Sequence, residues 1–414
     1  MIKIEEKTER VLLVGVETLE NTKKFHSTFE ELASLAVTAG AEVVALATQK
    51  LDVPNARTYV GSGKLEELAM TVDAREIDTV IFNARLSPRQ NMALEDALGV
   101  KVIDRMQLIL DIFAMRARSQ EGMLQVEQAQ LMYMKPRLAG HGIALSRQAG
   151  GIGSKGPGES KLETDRRHIQ LRIEDIDRKL KKIEKSRQLA RKKRLESGIF
   201  KIGLIGYTNA GKSSILNALV DVKQQQYEKN ELFATLDATT KLIRLKDEFT
   251  VALTDTVGFI QDLPTELIKA FKSTLEESAN VDLLVQVIDA SNPYHEAHEQ
   301  TVQQLLSELG MDKIPQLVIY NKMDLAPADF AYTITPAVEM SIKSENGPMV
   351  FRQAILSELN KLFVPFEKEL PYALAYKLPE LKRIALIDYV EEGETSYLVK
   401  GKIAPQQLWK LEKL

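Results

Sequence analysis

Short apolar runs alternate with amphipathic stretches over the first quarter of the chain. Stretches such as STFEELASLAVTAG repeat apolar residues every three to four positions, which is typical of helices. The apolar runs that separate them predict buried strands at 10–16, 41–46, 79–82 and 100–103. Because a repeated strand–helix order favours a parallel sheet, we predict a parallel α/β domain over residues 1–104.

Two long helical patterns follow this domain. The first covers 105–134, with an interruption near Gly122, and Pro136 is predicted to end it. The second covers about 160–196, and its apolar residues are spaced alternately by four and three: Ile169, Ile173, Ile176, Leu180 and Ile183. This spacing is typical of a coiled-coil seam. We therefore predict an antiparallel helical hairpin over 105–197.

A glycine-rich loop over 140–158 is predicted to join the two helices. It contains G-x-G-x-x-G, but no strand precedes it, so it does not fit a dinucleotide-binding turn. Glycine would let its backbone approach RNA closely. The second helix ends in a basic region, 178–194, with ten Lys/Arg and one Glu. That region is either a surface for phosphate backbones or a solvated helix face.

A third region, predicted as a mostly parallel sheet with helices on both faces over 198–365, carries the strongest motif. GYTNAGKS fits G-x-x-x-x-G-K-[ST] between an apolar strand and a helix. Lys212 would contact the β- and γ-phosphates, and the Ser213 hydroxyl would bind Mg²⁺. The remaining predicted phosphate-loop residues are Gly206, Tyr207, Thr208, Asn209, Ala210 and Gly211.

Two later motifs close apolar strands. In DTVG, comprising Asp255, Thr256, Val257 and Gly258, the carboxylate would hold Mg²⁺ through a water molecule and the glycine N–H would sense the γ-phosphate. In NKMD, the Asp324 carboxylate can accept both the N1–H and the exocyclic amine of guanine, a pair that adenine lacks. Asn321 would brace this loop, and Lys322 and Met323 complete it. These motifs predict GTP rather than ATP as the ligand.

A threonine between these motifs should bind Mg²⁺ and report the γ-phosphate. LFATLDATTK offers Thr235, Thr239 and Thr240, and chemistry alone leaves the three open. Phe259 follows DTVG, at the position where many GTPases place a water-orienting glutamine. Its ring cannot hydrogen-bond water, so no catalytic side chain is assigned and we expect slow intrinsic hydrolysis that a partner accelerates.

GGIGSKGPGESKLETDRR, GYTNAGKS, LFATLD and DTVGFI together resemble the HflX family, over nearly the whole chain. The resemblance implies that Thr235 is the Mg²⁺ threonine, within a segment of Phe233, Ala234, Thr235, Leu236 and Asp237. It also implies that Ser341, Ile342 and Lys343 complete the base pocket, although the chain has Met-Ser-Ile-Lys where the family pattern is Ser-Ala. The segment 366–414, which we predict to be a small α+β domain, occurs in only some relatives.

The same resemblance implies a GTP-hydrolysing factor that binds the large ribosomal subunit and ribosomal RNA, is stimulated there and splits stalled or idle ribosomes. Two alternatives remain open: a GTPase switch for another assembly, and an RNA-binding remodeller driven by the N-terminal domain. The sequence has no cysteine, a net charge of −3 and no long apolar run. We therefore expect a cytoplasmic protein without a membrane span that binds no DNA. We also expect a monomer.

Two smaller patterns predict ordinary structural features rather than binding sites. GSGK at 61–64 lacks the upstream glycine of a phosphate loop and has Leu65 where Ser or Thr belongs, so we predict the start of a helix. His295 and His298 do not fit H-E-x-x-H, and we predict surface histidines on the first turn of a helix.

Overall fold

The fold is that of a computed structural model, which describes residues 8–146, 161–195, 198–220, 233, 239–256, 258–261 and 280–412. These residues form two compact units. The first unit contains the described residues up to Ile183, together with Phe233. The second contains the other described residues, from Glu184 onwards.

A parallel sheet forms the centre of the first unit. Its strands are β1 (Arg10–Glu17), β2 (Glu42–Lys50), β3 (Thr79–Phe82) and β4 (Lys101–Asp104). They lie in the order β2-β1-β3-β4, and each neighbouring pair is parallel. The predicted parallel α/β fold is therefore confirmed for this part of the chain.

Helices cover this sheet because their apolar faces pack on it. They are α1 (Phe25–Thr38), α2 (Ser62–Arg75), α3 (Pro88–Leu98) and α4 (Arg105–Arg116). Leu68 of α2 and Leu94 of α3 are buried in one core with Leu12, Val80 and Phe82 of the strands. Gly61 is the N-cap residue of α2, so GSGK begins a helix as predicted.

The prediction of one helix over 105–134 is wrong. Helix α4 ends at Arg116, and α5 (Gln120–Ser146) begins after Ser119, whose hydroxyl accepts a hydrogen bond from the Gly122 N–H at 2.9 Å. This is an N-cap, so the break precedes Gly122. Since Ile109 and Ile112 of α4 are fully buried, α4 packs with the sheet domain rather than extending the hairpin.

Pro136 does not end α5 as predicted, because the helix continues through it to Ser146. Residues 140–146, which we predicted as part of the glycine-rich loop 140–158, are therefore helical. The rest of that predicted loop, including Gly150–Gly158, lies outside the described residues.

The hairpin partner of α5 is α6 (Lys161–Leu195). Arg172 of α6 donates to both carboxylate oxygens of Glu127 of α5, at 2.7 and 2.9 Å, and Lys135 donates to Gln170 at 2.6 Å. Because earlier residues of one helix meet later residues of the other, the pair is antiparallel. The predicted seam is also confirmed: Ile173 and Ile176 are buried, and the other three seam residues are half-buried.

A larger sheet organises the described part of the second unit. Its strands are β5 (Phe200–Gly206), β6 (Thr239–Lys246), β7 (Phe249–Asp255), β8 (Leu283–Asp289), β9 (Gln316–Asn321) and β10 (Ala337–Glu339). They lie in the order β10-β9-β8-β5-β7-β6, and β6 alone is antiparallel to its neighbour. Helices α7 (Lys212–Leu219), α8 (His295–Glu308) and α9 (Gly347–Leu362) follow strands of this sheet.

A small antiparallel sheet ends the chain. It consists of β11 (Val364–Pro371), β12 (Ala385–Glu392) and β13 (Ser396–Ile403), with α10 (Leu378–Ile384) and α11 (Leu408–Glu412). The predicted small α+β fold is confirmed, but β11 begins two residues before the predicted boundary of this domain. No helix in the described ranges is long and apolar enough to cross a membrane.

Candidate nucleotide-binding site

The three predicted nucleotide motifs each follow a parallel strand of the larger sheet. GYTNAGKS begins at the end of β5, DTVG at the end of β7 and NKMD at the end of β9. The carboxyl ends of parallel strands lie at one edge of a sheet, where open α/β folds bind ligands. The contacts between these loops decide whether they form one site.

Gly211 brings the phosphate loop against the NKMD loop. It has a φ of +97°, and a Cβ added there would lie 2.3 Å from Nδ2 of Asn321. Only glycine fits both the left-handed backbone and this close approach. Helix α7 begins at the next residue, so its N-terminal N–H groups and the positive end of its dipole would face a bound phosphate.

Hydrogen bonds to the phosphate loop hold the side chain of Lys212 in place. Its Nζ donates to the carbonyl oxygens of Gly206 at 3.0 Å and Tyr207 at 2.7 Å. Burial lowers the pKa of Lys212 to about 8, an effect that the nearby Asp255 carboxylate opposes. These contacts fix a cation beside the backbone N–H groups of the phosphate loop.

Ser213 and Asp255 form an oxygen pair suited to Mg²⁺. The Ser213 hydroxyl donates to Asp255 Oδ2 at 2.6 Å, and Asp255 is buried at the end of β7. Mg²⁺ prefers hard oxygen ligands such as a hydroxyl and a carboxylate, so this donor set fits the ion. Thr256 fixes the start of DTVG, because its hydroxyl donates to the Leu204 carbonyl at 2.7 Å.

Asn321 joins three loops through one buried side chain. Its Nδ2 donates to the Ala210 carbonyl of the phosphate loop at 2.9 Å. Its Oδ1 accepts from the Ile342 N–H at 3.0 Å. The structure thus places Asn321 in the bracing position predicted from sequence, between the phosphate loop, NKMD and MSIK.

The rest of the predicted base pocket surrounds this junction. The Met323 N–H donates to the Met340 carbonyl at 3.3 Å, and Asp324 follows with an exposed side chain. Ile342 is buried in the core of the unit, while Ser341 is half-buried and Lys343 is exposed. The isoleucine that departs from the family pattern therefore contributes its backbone N–H to the site and its side chain to the core.

The rings of Phe233 and Phe259 are both buried. Phe233, predicted to lie in the nucleotide site, packs edge-to-face on Phe113 of α4, with ring centroids 4.6 Å apart. Its ring therefore packs within the first unit, and its contact with the nucleotide stays a prediction. Phe259 is 2% exposed, so its ring is buried next to the phosphate loop rather than presented to water.

Some predicted residues lie outside the described residues: Ala234, Thr235, Leu236, Asp237 and Val257. Of the alternative threonines, Thr239 and Thr240 lie in β6, and the Thr240 hydroxyl is 2.9 Å from that of Thr254. The assignment of the Mg²⁺ threonine to Thr235 remains a prediction.

Sequence reasoning missed two contacts at this site. Lys322 pairs with Asp289 at 2.7 Å, and Asp289 ends β8 at the same edge of the sheet. His298, predicted to be a surface residue, stacks on Tyr207 of the phosphate loop. The first contact could be found because β8 and β9 are parallel neighbours, which brings Asp289 and Lys322 to the same edge of the sheet. The second could be found because α8 begins shortly after the carboxyl end of β8.

Three family descriptions match consecutive parts of the chain. Residues 26–114 match "GTP-binding GTPase N-terminal", and residues 116–194 match "GTP-binding GTPase Middle Region". Residues 201–322 match "50S ribosome-binding GTPase". The boundary between the first two matches falls at the end of α4.

Curated relatives align over nearly the full length. The GTPase HflX of Alkalihalophilus pseudofirmus is 44% identical, covering 95% of this chain and 93% of the relative. The GTPase HflX of Caldanaerobacter subterraneus is 46% identical, covering 93% and 89%. Among solved structures, the SsGBP and GDP complex aligns at 24% identity with a TM-score of 0.49, over 86% of this chain and 99% of that one.

Proposed function

The chain belongs to the HflX family of GTPases, and on that basis we propose that it couples Mg²⁺-dependent GTP hydrolysis to work on the large ribosomal subunit. The proposal that the chain binds a guanine nucleotide rests on the hydrogen bonds of the Asn321 side chain, which join the phosphate loop to the base-reading loops. One site can then contact both ends of a guanine nucleotide.

Each side chain has a defined role in this proposal. Lys212 and the N–H groups of the phosphate loop bind the β- and γ-phosphates, and the Asp324 carboxylate accepts from the guanine edge. Ser213 and Asp255 would hold Mg²⁺, together with Thr235 as the resemblance implies. The bound ion would neutralise phosphate charge as the terminal phosphate is transferred to water.

The proposal includes slow hydrolysis by the free protein. Phe259 stands where a glutamine would orient the attacking water, and its buried ring has no hydrogen-bonding group. Ordering of the switch segments by a partner, or a group that the partner supplies, would then set the rate. We propose that this partner is the large ribosomal subunit.

The ribosomal part rests on the family and on charge. The match to a 50S ribosome-binding GTPase supports binding to that subunit. The basic end of α6, residues 178–194, supplies cations for RNA phosphates, and Arg178 at its start is 74% exposed on its side chain. We propose that the protein acts in the cytoplasm as a monomer, contacts ribosomal RNA and separates stalled or idle ribosomes.

Co-sedimentation tests this function directly. The protein is loaded with a non-hydrolysable GTP analogue and run with ribosomes on a sucrose gradient. We expect it to migrate with the 50S subunit and to raise the fraction of free subunits. Protein that stays at the top of the gradient at low and moderate salt would exclude the ribosomal role and favour a GTPase switch for another assembly.

Two variants separate the role of the basic end of α6 from that of the glycine-rich loop. Charge reversal across Arg191–Arg194 should weaken ribosome association and spare GTP binding, because the phosphate contacts would be lost. Deletion of Gly150–Gly158 should abolish subunit separation with GTP binding intact. If the N-terminal domain alone, without GTP, drove the separation, the RNA-binding remodeller would be the better description.

A further inference from the structure

Tyr207 has a side-chain environment that phosphate binding does not explain. Its ring stacks face to face on the imidazole of His298, with centroids 3.6 Å apart and planes inclined by 5°. His298 lies on the first turn of α8, beside the phosphate loop. Since a phosphate loop binds its ligand through backbone N–H groups, the Tyr207 ring can serve another purpose.

The Tyr207 hydroxyl connects the phosphate loop to the residues that follow DTVG. It accepts a hydrogen bond from the backbone N–H of Gln261 at 2.6 Å, and Gln261 is buried. The ring therefore links α8, through His298, to the residues after Gly258. A side chain in this position restrains any movement of Gln261 away from the loop.

The two backbones also pair directly. The Thr208 N–H donates to the Phe259 carbonyl at 2.8 Å, and the Phe259 N–H donates to the Gly206 carbonyl at 3.2 Å. Together with the tyrosine contact, these bonds hold residues 258–261, which we call the latch segment, on the phosphate loop. The latch segment contains the glycine expected to sense the γ-phosphate.

Gly258 lies very close to the loop in this arrangement. A Cβ added to it would be 2.8 Å from the Thr208 Cα and 3.1 Å from the Lys212 Nζ. The backbone of Gly258 is therefore packed against the cation that would bind the γ-phosphate. A γ-phosphate that contacts both Lys212 and the Gly258 N–H would have to lie between these two groups, so its binding would displace the latch segment from the loop.

We propose that Tyr207, positioned by His298, determines nucleotide specificity by stabilising the latch segment on the phosphate loop, which favours GDP over GTP. The inference rests on the proposed nucleotide site and adds to it a determinant of phosphate number. An interaction made in only one of two states shifts the equilibrium by its own free energy. The hydroxyl bond to Gln261 and the ring stack are two such interactions.

The environment of His298 supports a purely packing contact. The pKa of His298 is lowered to about 4. Burial is the main cause, the nearby Asp289 carboxylate opposes the shift and His295 adds to it. The imidazole is therefore uncharged at neutral pH, and it stacks on Tyr207 without adding a second cation near Lys212.

Equilibrium binding to the full-length chain tests the proposal. Fluorescent GDP and a fluorescent non-hydrolysable GTP analogue are titrated into wild-type protein and Tyr207→Phe, which keeps the ring and removes the hydroxyl. Loss of one hydrogen bond from the latched state should shift the ratio of the two dissociation constants toward GTP by about 3- to 10-fold. His298→Ala should shift the ratio in the same direction by about 2- to 10-fold, because the stack is lost.

His298→Phe is the matched control, since it restores an aromatic ring at the same position and should return the ratio to within about twofold of wild type. An unchanged ratio in Tyr207→Phe, or equal weakening of both affinities, would overturn the role of the latch segment. Wild-type protein that binds neither nucleotide would instead overturn the proposed site, a result that is distinct from an unchanged ratio.

Discussion

Asp104 and Asp255 both lie at the carboxyl end of a strand in an α/β sheet, but their surroundings differ. Asp104 ends β4 in the first unit, Asp255 ends β7 in the second unit, and both side chains are buried. Asp104 accepts from a charged side chain, Arg137, at 2.7 Å. The partner of Asp255 in the phosphate loop is the hydroxyl of Ser213.

The donors around Asp104 complete a structural site. Besides Arg137, its carboxylate accepts from the Leu86 N–H at 3.0 Å, the Gln107 N–H at 2.9 Å and the Tyr133 hydroxyl at 2.8 Å. These donors come from α4, α5 and the residues after β3. Asp104 therefore acts as an anchor that holds the helices on the sheet.

The comparison shows how one architecture serves two purposes. Polar residues collect at the carboxyl edge of both sheets, but at Asp104 the chain itself supplies donors to both carboxylate oxygens. At Asp255 the neighbouring groups are those that we propose to bind phosphate and metal, including the helix N-terminus at Lys212. The identity of the donors, rather than the position in the fold, separates an anchor from a ligand site.

Replacing Asp104 should produce the largest effect on stability. Asp104→Ala leaves the Arg137 cation and three further donors without their acceptor, so the free energy of unfolding of the first unit should fall by about 3–5 kcal/mol. Chemical denaturation measures this loss. Asp96→Ala, at an exposed position of α3, is the matched control. A loss below about 1 kcal/mol at Asp104, or a parallel loss of GTP affinity, would contradict the anchor.

Substitution of the lysine should weaken GTP binding in GYTNAGKS but not in GSGK. Lys212→Ala removes a cation from the phosphate loop and should weaken GTP binding by about 10- to 100-fold, as measured by titration. Lys64→Ala, in GSGK at the start of α2, removes only an ion pair with Glu67 and should leave GTP affinity unchanged. Equal weakening by both substitutions would mean that the sheet of the first unit also binds the nucleotide.

Acid should weaken the second unit through His298. Its folded pKa of about 4 lies below the unfolded value of about 6.5, so the unfolded chain binds more protons between these values. Stability is therefore complete above pH 6.5 and falls as the pH drops, by about 1 kcal/mol at pH 5.5. Asp289, His295 and Glu299 face the same site and are retained in His298→Phe. That variant should lose less stability than wild type between pH 7 and 5.5, whereas parallel curves would contradict a neutral, half-buried imidazole.

The sequence predicts this fold where local and tertiary preferences agree. Strand–helix alternation placed β1–β4 within a few residues, and the glycine–lysine motif located the start of α7. Each of these patterns is enforced by nearby residues: apolar runs bury a strand, and the Gly211 backbone turns into a helix. Asn321 was predictable for the same reason, since its motif directly closes a buried strand.

Tertiary contacts decided the features that sequence patterns missed. Proline costs a helix interior about 3 kcal/mol, which predicts a helix end near Pro136. Instead, Lys135 binds Gln170 and Arg137 binds Asp104, so anchored neighbours on both sides hold the helix through the proline. The burial of His298 depends likewise on Tyr207, about ninety residues earlier in the chain, and no local pattern shows that contact.

The central claim is that the loops joined by Asn321 form a guanine site read by Asp324. Its most direct test is the affinity of Asp324→Asn for guanine and xanthine nucleotides, measured by competition against fluorescent GDP. Xanthine carries a carbonyl where guanine has an amine, and an amide N–H can donate to it. GDP should bind about 10- to 100-fold more weakly to the variant, and XDP should compete better than GDP. A variant that keeps wild-type affinity for GDP would contradict the claim.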